Sequence, residues 1–409
     1  MRILFFHKYK NTSLLLLCLS LLLCLSACGG SIAGPVAGGI QPKQTQQIPT
    51  ATATHRASTG IIPLLPKSQP TAKPTKGTTP VATATPNPTH IIGGSGGGSN
   101  GNGGGGNVSG GSRPVLAFYY TWYTPGTWCS CRMSDLPATK YNSSDDATID
   151  RQVTEAAGAG INGFISSWWG PGDVTDTNFA KLLAHSATLE NTTGSHFTST
   201  IYFESDAPAL NSTAKMVAGL NYMVTHYSND PHFLHWQGKP VLFFWNPLGG
   251  GRTLTQWASI RSQVDPNNQM IWSAEGVDMS LLSVFDGIHL FSGGYWGIQH
   301  GNMPTVDQGF RSEINAYNAA HNTHKIWAAG VIPGYDDTRI AGRTGTYIVP
   351  RNNGATYQQS WAGAVSSQPD WITITSFNEW FEGAMIEPSA TYDNQYLTLT
   401  QQYAKQWHG

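Results

Sequence analysis

Three glutamates, Glu379, Glu382 and Glu387, fall within nine positions of SFNEWFEGAMIEP (residues 376–388), with Trp380 and Phe381 between the first two. Carboxyl groups in pairs can move protons: one is kept neutral to donate while its neighbour stays charged to accept, and burial among aromatic rings raises the pKa of the donor. Glutamates three apart, in a turn or a first helical turn, point to the same side and can reach one substrate. Paired carboxylates of this kind supply the acid and base of glycosidic cleavage. Glu387 reads instead as a structural residue that satisfies loop backbone or an arginine. Asn378 reads as an orienter of a hydroxyl or carboxylate beside the reacting group.

Other reactive side chains are less suggestive. Cys129 and Cys131 in WCSCR can form a strained but possible disulfide in an oxidising compartment, or stay free thiols; no nearby histidine in the sequence marks either as a nucleophile. His232 and His235 in HFLH, and His321 and His324 in HNTH, have a spacing that metals use, yet no carboxylate or cysteine accompanies them in a recognised pattern. They read as surface or packing histidines, so no metal and no cofactor is expected.

A site needs elements to hold it. From residue 113 onward, apolar β-rich runs alternate with segments of helical period: residues 115–120, 163–168, 199–203, 240–245, 269–273, 287–291, 325–331 and 371–376. Continuous rather than alternating apolar runs are buried on both faces, the pattern of a parallel sheet. Between them, Ile149, Val153 and Ala157 share one helical face, as do Val306, Phe310, Ile314 and Tyr317. Eight such units predict an α/β protein with a (β/α)8 barrel, and an open doubly wound sheet is the weaker alternative.

In a (β/α)8 barrel the active site lies at the C-terminal ends of the strands. The residues there are Tyr119, Tyr120, Trp122 and Tyr123 after the first run, Trp168 and Trp169 after the second, Glu204 after the third and Trp245 at the fourth. Glu275 follows the fifth, Tyr295 and Trp296 the sixth, Tyr335, Asp336, Asp337 and Arg339 the seventh, and Asn378, Glu379, Trp380 and Glu382 the eighth. A ring of carboxylates and flat aromatic faces suits sugars, whose apolar faces stack on rings while carboxylates and amides bind hydroxyls.

The first residues read as an export signal. Arg2, Lys8 and Lys10 precede an apolar stretch, residues 14–25, too brief to span a bilayer comfortably, and LSACG at 25–29 resembles a bacterial lipobox that would make Cys28 the lipidated first residue. Residues 1–28 are then a signal peptide and residues 29–112 a disordered linker, first Thr/Pro-rich and then Gly/Ser-rich. The folded domain spans 113–409, held outside the cell by a membrane lipid anchor and a tether. Net charge is −1 and charged residues make up 11%, which excludes a basic nucleic-acid-binding surface.

Five strings together, FYYTWY (118–123), GINGFISSWWGPG (160–172), FDGIH (285–289), PGYDDTRI (333–340) and ITSFNEWFEGAMIEP (374–388), resemble glycoside hydrolase family 99, the endo-α-mannosidase family. The resemblance runs in order over nearly the whole folded domain, and its last two strings are the specific ones. It implies a (β/α)8 barrel and retaining cleavage of internal α-1,2-mannosidic links. It also implies Glu382 as general acid and Glu379 as the base on the sugar 2-hydroxyl, which attacks its own anomeric carbon to give a 1,2-anhydro intermediate. The family pattern has histidine at Phe381, threonine-glutamine at Ala384-Met385, and a tyrosine-rich string where this chain has His289, Leu290 and Phe291. Both glutamates survive, which puts substrate choice rather than chemistry in question. An α-1,3-glucan hydrolase and a non-catalytic carbohydrate-binding lipoprotein stay open as alternatives.

Overall fold

The computed structural model describes residues 113–291 and 302–409. The signal segment, Cys28 and the linker, as well as Tyr295 and Trp296, lie outside the described residues.

Eight parallel strands close into a barrel: β1 (Val115–Tyr119), β2 (Gly163–Trp168), β3 (Thr198–Glu204), β4 (Lys239–Trp245), β5 (Ile271–Glu275), β6 (Gly287–His289), β7 (Ile326–Val331) and β8 (Trp371–Ile374). Each strand pairs with the next, and β8 returns to β1 in the register Val115↔Ile372, Leu116↔Thr373, Ala117↔Ile374. The described helices are α1 (Asp146–Gly158), α2 (Val174–Thr193), α3 (Thr213–His226), α4 (Leu254–Val264), α5 (Met303–His321), α6 (Ala355–Ser366) and α7 (Gln395–His408). The β5–β6 connection holds only a 3-10 turn, Met279–Ser283.

The expected barrel is therefore present, with most strand boundaries shifted by one or two residues; β1 and β8 end at Tyr119 and Ile374, short of the runs 115–120 and 371–376. β5 starts at Ile271 rather than 269, because the Gln269 and Met270 N–H groups donate to the Asp265 carboxylate at 2.6 and 3.2 Å and are not free for the ladder. β6 ends at His289, two residues short of the run.

A side chain points to alternate faces at each step along a strand, and both faces here are apolar. Val115, Ala117 and Tyr119 pack outward against the helices with Phe164, Trp168, Ile201, Phe203, Leu242 and Phe244. Leu116, Phe118 and Tyr120 pack inward with Ile165, Tyr202, Phe243 and Trp245. The last helix clamps the first strand's entry: Trp407 Nε1 donates to the Arg113 carbonyl at 2.6 Å, and the Arg113 guanidinium lies 3.5 Å from the Trp407 ring.

Candidate active site

The segment after β8 is held to β1 by one side chain. Asn378 Oδ1 accepts from the Tyr120 N–H at 2.8 Å and Nδ2 donates to the Tyr120 carbonyl at 2.9 Å, continuing the β8–β1 pairing past the last ladder residue. Both ends of the amide are thereby engaged, so Asn378 frames the site rather than orienting a ligand. Ser376 Oγ accepts from the Glu379 N–H at 2.6 Å. The Tyr123 hydroxyl donates to the Asn378 carbonyl and accepts from the Trp380 N–H, both at 3.0 Å, and stands 3.4 Å from Glu379 Oε1.

Glu387 has the structural role its position suggested. Its two oxygens accept from Arg151 at 3.0 Å, Gln152 at 2.7 Å, Tyr141 at 2.9 Å and Trp380 Nε1 at 3.0 Å.

Glu379 and Glu382 are also fully buried, and they are far less satisfied. Glu379 Oε1 accepts the Phe381 N–H at 3.2 Å. Glu382 Oε1 accepts Arg343 Nη1 at 2.8 Å, and that arginine also pairs with Asp337 at 2.9 Å and donates to the Tyr335 hydroxyl at 3.1 Å. The remaining oxygens, Glu379 Oε2 and Glu382 Oε2, and the Tyr120 hydroxyl are buried without a hydrogen-bond partner among the described residues. Each such orphan costs about 1–3 kcal/mol, and a group of them in one place marks where a ligand's hydroxyls belong. Burial raises the Glu379 pKa well above the usual carboxylate range; the charge at Glu382 raises it further and Arg343 opposes. Glu379 thus keeps its proton at rest.

More carboxyl groups face the same space. Glu204, at the end of β3, accepts from Ser167 Oγ at 2.6 Å, and burial pushes its pKa up to about 8. Burial pushes Glu275, the last residue of β5, to about 7. Burial, with the neighbouring carboxyl groups of Glu379, Glu204 and Glu382 adding to it, raises the Tyr120 pKa well above the usual range, so its hydroxyl stays neutral. Below them His289 lies between Ser273 Oγ at 3.0 Å and the Tyr202 hydroxyl at 3.3 Å, and burial lowers its pKa to about 3, so the imidazole is neutral. Aromatic walls surround this floor: Trp122 against Tyr120 and Trp169 with centroids 4.9 and 5.9 Å apart, Trp245 against Tyr202 at 6.0 Å, and Tyr335 stacked on Tyr347 at 4.4 Å. Protonated and charged carboxyls among flat rings can bind sugar hydroxyls, protonate an oxygen and accept a proton.

The family model for glycosyl hydrolase family 99 matches residues 133–406. The chain belongs to glycosyl hydrolase family 99. It is 26% identical over 288 residues to a glycoprotein endo-alpha-1,2-mannosidase of Rattus norvegicus, covering 63% of this chain and 57% of the relative. A second relative of that name, from Xenopus laevis, is 24% identical over 308 residues, covering 65% and 64%. The chain thus spans under two thirds of the length of these curated relatives. A solved GH99 endo-alpha-mannosidase from Bacteroides thetaiotaomicron superposes with a TM-score of 0.59 over 72% of this chain and 97% of that one, at 21% identity, which speaks for the fold.

Within this family 99 chain the structure gathers Tyr120, Trp122, Tyr123, Trp169, Glu204, Trp245, Tyr335, Glu379 and Glu382 around one space; besides Asn378, four expected ligand residues have their polar groups turned elsewhere. Tyr119 and Trp168 lie on the helix-facing sides of their strands: Tyr119 stacks on Phe164 at 4.2 Å and donates to Gln152 at 2.5 Å, while Trp168 Nε1 donates to Asp176 at 3.0 Å. Asp336 turns its carboxylate onto Thr338, accepting its hydroxyl at 2.6 Å and its N–H at 3.1 Å, and the neighbouring Asp337 joins the Arg343 network instead. Trp380 is a buried wedge bonded to Glu387 and Tyr141. Arg343, Tyr202 and His289 escaped the sequence reading as site residues. Tyr202 and His289 could have been found as inward positions near strand ends, but nothing local in GRTGTY identifies Arg343 as a partner for Glu382. Cys129 and Cys131 are disulfide-bonded.

The pKa of Glu204 makes a stability prediction. The folded group keeps its proton to about pH 8, whereas an unfolded glutamate releases it near pH 4.3. Between these values the native state binds more protons, so stability falls as pH rises across that window. Glu204→Gln should flatten that fall, measured as the difference in urea-unfolding midpoint between pH 5 and pH 8; an unchanged slope would contradict the protonated assignment.

Proposed function

We propose that this protein is a retaining, endo-acting glycoside hydrolase that cleaves α-mannosidic links within a polysaccharide or glycan. The observation that carries the reading is the buried Glu379–Glu382 pair, each with one oxygen unclaimed among the described residues, beside the unpartnered Tyr120 hydroxyl in a family 99 barrel. Sugar binding alone has no use for two carboxyl groups buried side by side, one of them paired with an arginine.

In the proposed reaction Glu379 takes the proton of the sugar 2-hydroxyl, O2 attacks the anomeric carbon, and the bond to the leaving oxygen breaks as Glu382 protonates it. The product is a 1,2-anhydro sugar. Glu382, now a carboxylate, takes a proton from water as the water oxygen attacks the anomeric carbon; the bond from that carbon to O2 breaks, and O2 takes the proton held by Glu379. Two inversions leave the configuration retained, and both glutamates end in the protonation states in which the first step found them, with a water proton on Glu382 and its original proton on the leaving hydroxyl. The first step needs Glu379 ionised and Glu382 protonated, so the resting proton on Glu379 must first pass to Glu382; incoming hydroxyls favour this shift because hydrogen bonds to a carboxylate stabilise its charged form. Arg343 already works in that direction.

Purified protein incubated with α-mannan should release oligosaccharides, and Glu382→Gln and Glu379→Gln should each lower kcat by about 10²–10⁴-fold, the usual worth of a positioned acid or base, while mannan binding stays within a few-fold. Products from α-1,3-glucan alone would move the specificity to the nearest alternative. Binding without any product in the unaltered protein would replace the hydrolase with a carbohydrate-binding lipoprotein.

Arg343 offers a separate check. Its positive charge lowers the Glu379 pKa, so Arg343→Gln should raise it and move the acidic limb of the kcat/KM profile to higher pH by about one unit, the low end of the 1–3 units typical for a close opposite charge. A limb that does not move would remove Arg343 from the proton balance.

No helix among the described residues is long and apolar enough to cross a membrane. The expected attachment is the lipid on Cys28, with the domain facing outside. In bacterial expression Cys28→Ser should release the chain from the membrane fraction, and retention there would end the anchor reading.

A further inference from the structure

We propose that Glu190, His196 and His232 form a second site, at the opposite end of the barrel from the glutamates, that binds a zinc-class divalent cation. Three separate segments supply the ligands. Glu190 lies in the last turn of α2, where its carbonyl accepts the N–H of Gly194 at 2.8 Å. His196 lies in the short connection into β3. His232 precedes the small Trp236 ribbon and is pinned to the start of β3 by the Ser199 N–H, which donates to its carbonyl at 2.8 Å.

The donor atoms converge. Glu190 Oε2 is 2.8 Å from His232 Nε2 and 3.2 Å from His196 Nδ1, and one ligand atom from each residue lies within 4.8 Å of the other two. Zinc bonds of about 2.0–2.2 Å in tetrahedral geometry set donor atoms about 3.3–3.5 Å apart, which the present spacing reaches with small ring rotations. Two imidazoles and one carboxylate make a donor set that zinc favours, with open positions left for water.

Two further observations point to a ligand. Both ring nitrogens of His196 are buried and make no directed hydrogen bond among the described residues, although Nδ1 stands close to the carboxylate. Charge beside an unaligned ring is what an ion between them resolves. Asp230 is also placed as an outer carboxylate: its Oδ1 accepts the His232 N–H at 2.8 Å and faces His232 Nδ1, the nitrogen away from Glu190, at 3.6 Å. Metal-bound histidines are commonly steadied this way. Glu190 and His196 are remote from His232 in sequence, and His235, the other histidine of HFLH, turns instead to the Phe233 carbonyl at 2.8 Å.

An ion here would tie the end of α2, the entry of β3 and the approach to β4 together. At the N-terminal face of a barrel its effect falls on stability and not on turnover. Binding needs neutral imidazoles and a charged carboxylate, so the ion displaces shared protons and leaves as the histidines protonate.

The test uses the full chain without a histidine tag, stripped with a chelator and titrated with zinc in a calorimeter. One equivalent should bind at micromolar dissociation constant or tighter, raise Tm by several degrees through linkage, and leave mannan hydrolysis unchanged. His196→Asn and His232→Ala should each weaken uptake at least about 10-fold, the lower end for loss of ligand support. Unfolded variants would be recognised by circular dichroism, in which case cobalt in the unaltered chain decides: visible d–d bands characteristic of mixed N/O ligation support the site. No stoichiometric uptake, or uptake that survives both substitutions, overturns the proposal.

Discussion

Burying a carboxylate is the costly act on which the rest of this site depends. An ionised carboxyl taken out of water must receive hydrogen bonds or a counter-charge, or else keep its proton. Three glutamates of one short segment meet that demand in three ways. Glu387 receives four donors and becomes a fixed strut between α1 and the loop after β8. Glu382 receives one arginine on one oxygen. Glu379 receives a single backbone N–H with a tyrosine hydroxyl at the limit of contact, and keeps its proton. The order of satisfaction is the order of function: the complete residue holds the loop, and the incomplete ones have capacity left for substrate.

That capacity is useful only if the unsatisfied atoms stay where they are. Asn378 fastens the glutamate segment to the backbone of Tyr120, and Tyr123 ties the next two peptide groups together, so the two strands on either side of the barrel closure carry the site as one unit. Preorganisation of this kind spares the reaction the work of assembling its own environment.

The barrel and the carboxyl pair were legible because both are written in local pattern. Continuous apolar runs such as residues 163–168 signal strands covered on both faces, and the NEWFE spacing sets two acids on one turn. Which members of a strand-end cluster face inward was legible in principle from period two. Tyr119 and Trp168 were misplaced by treating the cluster as a unit, although they alternate with the inward Tyr120 and Ser167. Asp336 and Asp337 show the same effect in a loop: adjacent acids diverge, one into a turn with Thr338 and one onto Arg343. Arg343 and the His196–His232–Glu190 group were invisible for a different reason. Their partners lie 39 to 42 residues apart or across a strand, and no spacing rule connects them.

The departures from the family pattern concern side chains at positions whose backbone does the structural work. Phe381 replaces a histidine, yet it is the Phe381 N–H that reaches Glu379 Oε1. Ala384 donates its N–H to the Glu379 carbonyl at 3.2 Å and accepts the Ser376 N–H at 2.7 Å, and the Met385 carbonyl accepts from Arg351 at 2.7 Å. These bonds are made by main-chain atoms and so do not depend on the polar groups of the side chains at those positions. The Phe381 ring instead lies against Tyr123, with centroids 5.7 Å apart, and is only partly buried. Where an imidazole would offer a hydrogen bond, this ring offers an apolar face. The departure therefore turns the surface beside Glu379 from hydrogen-bonding to apolar, and leaves the position of the carboxylate to the main chain.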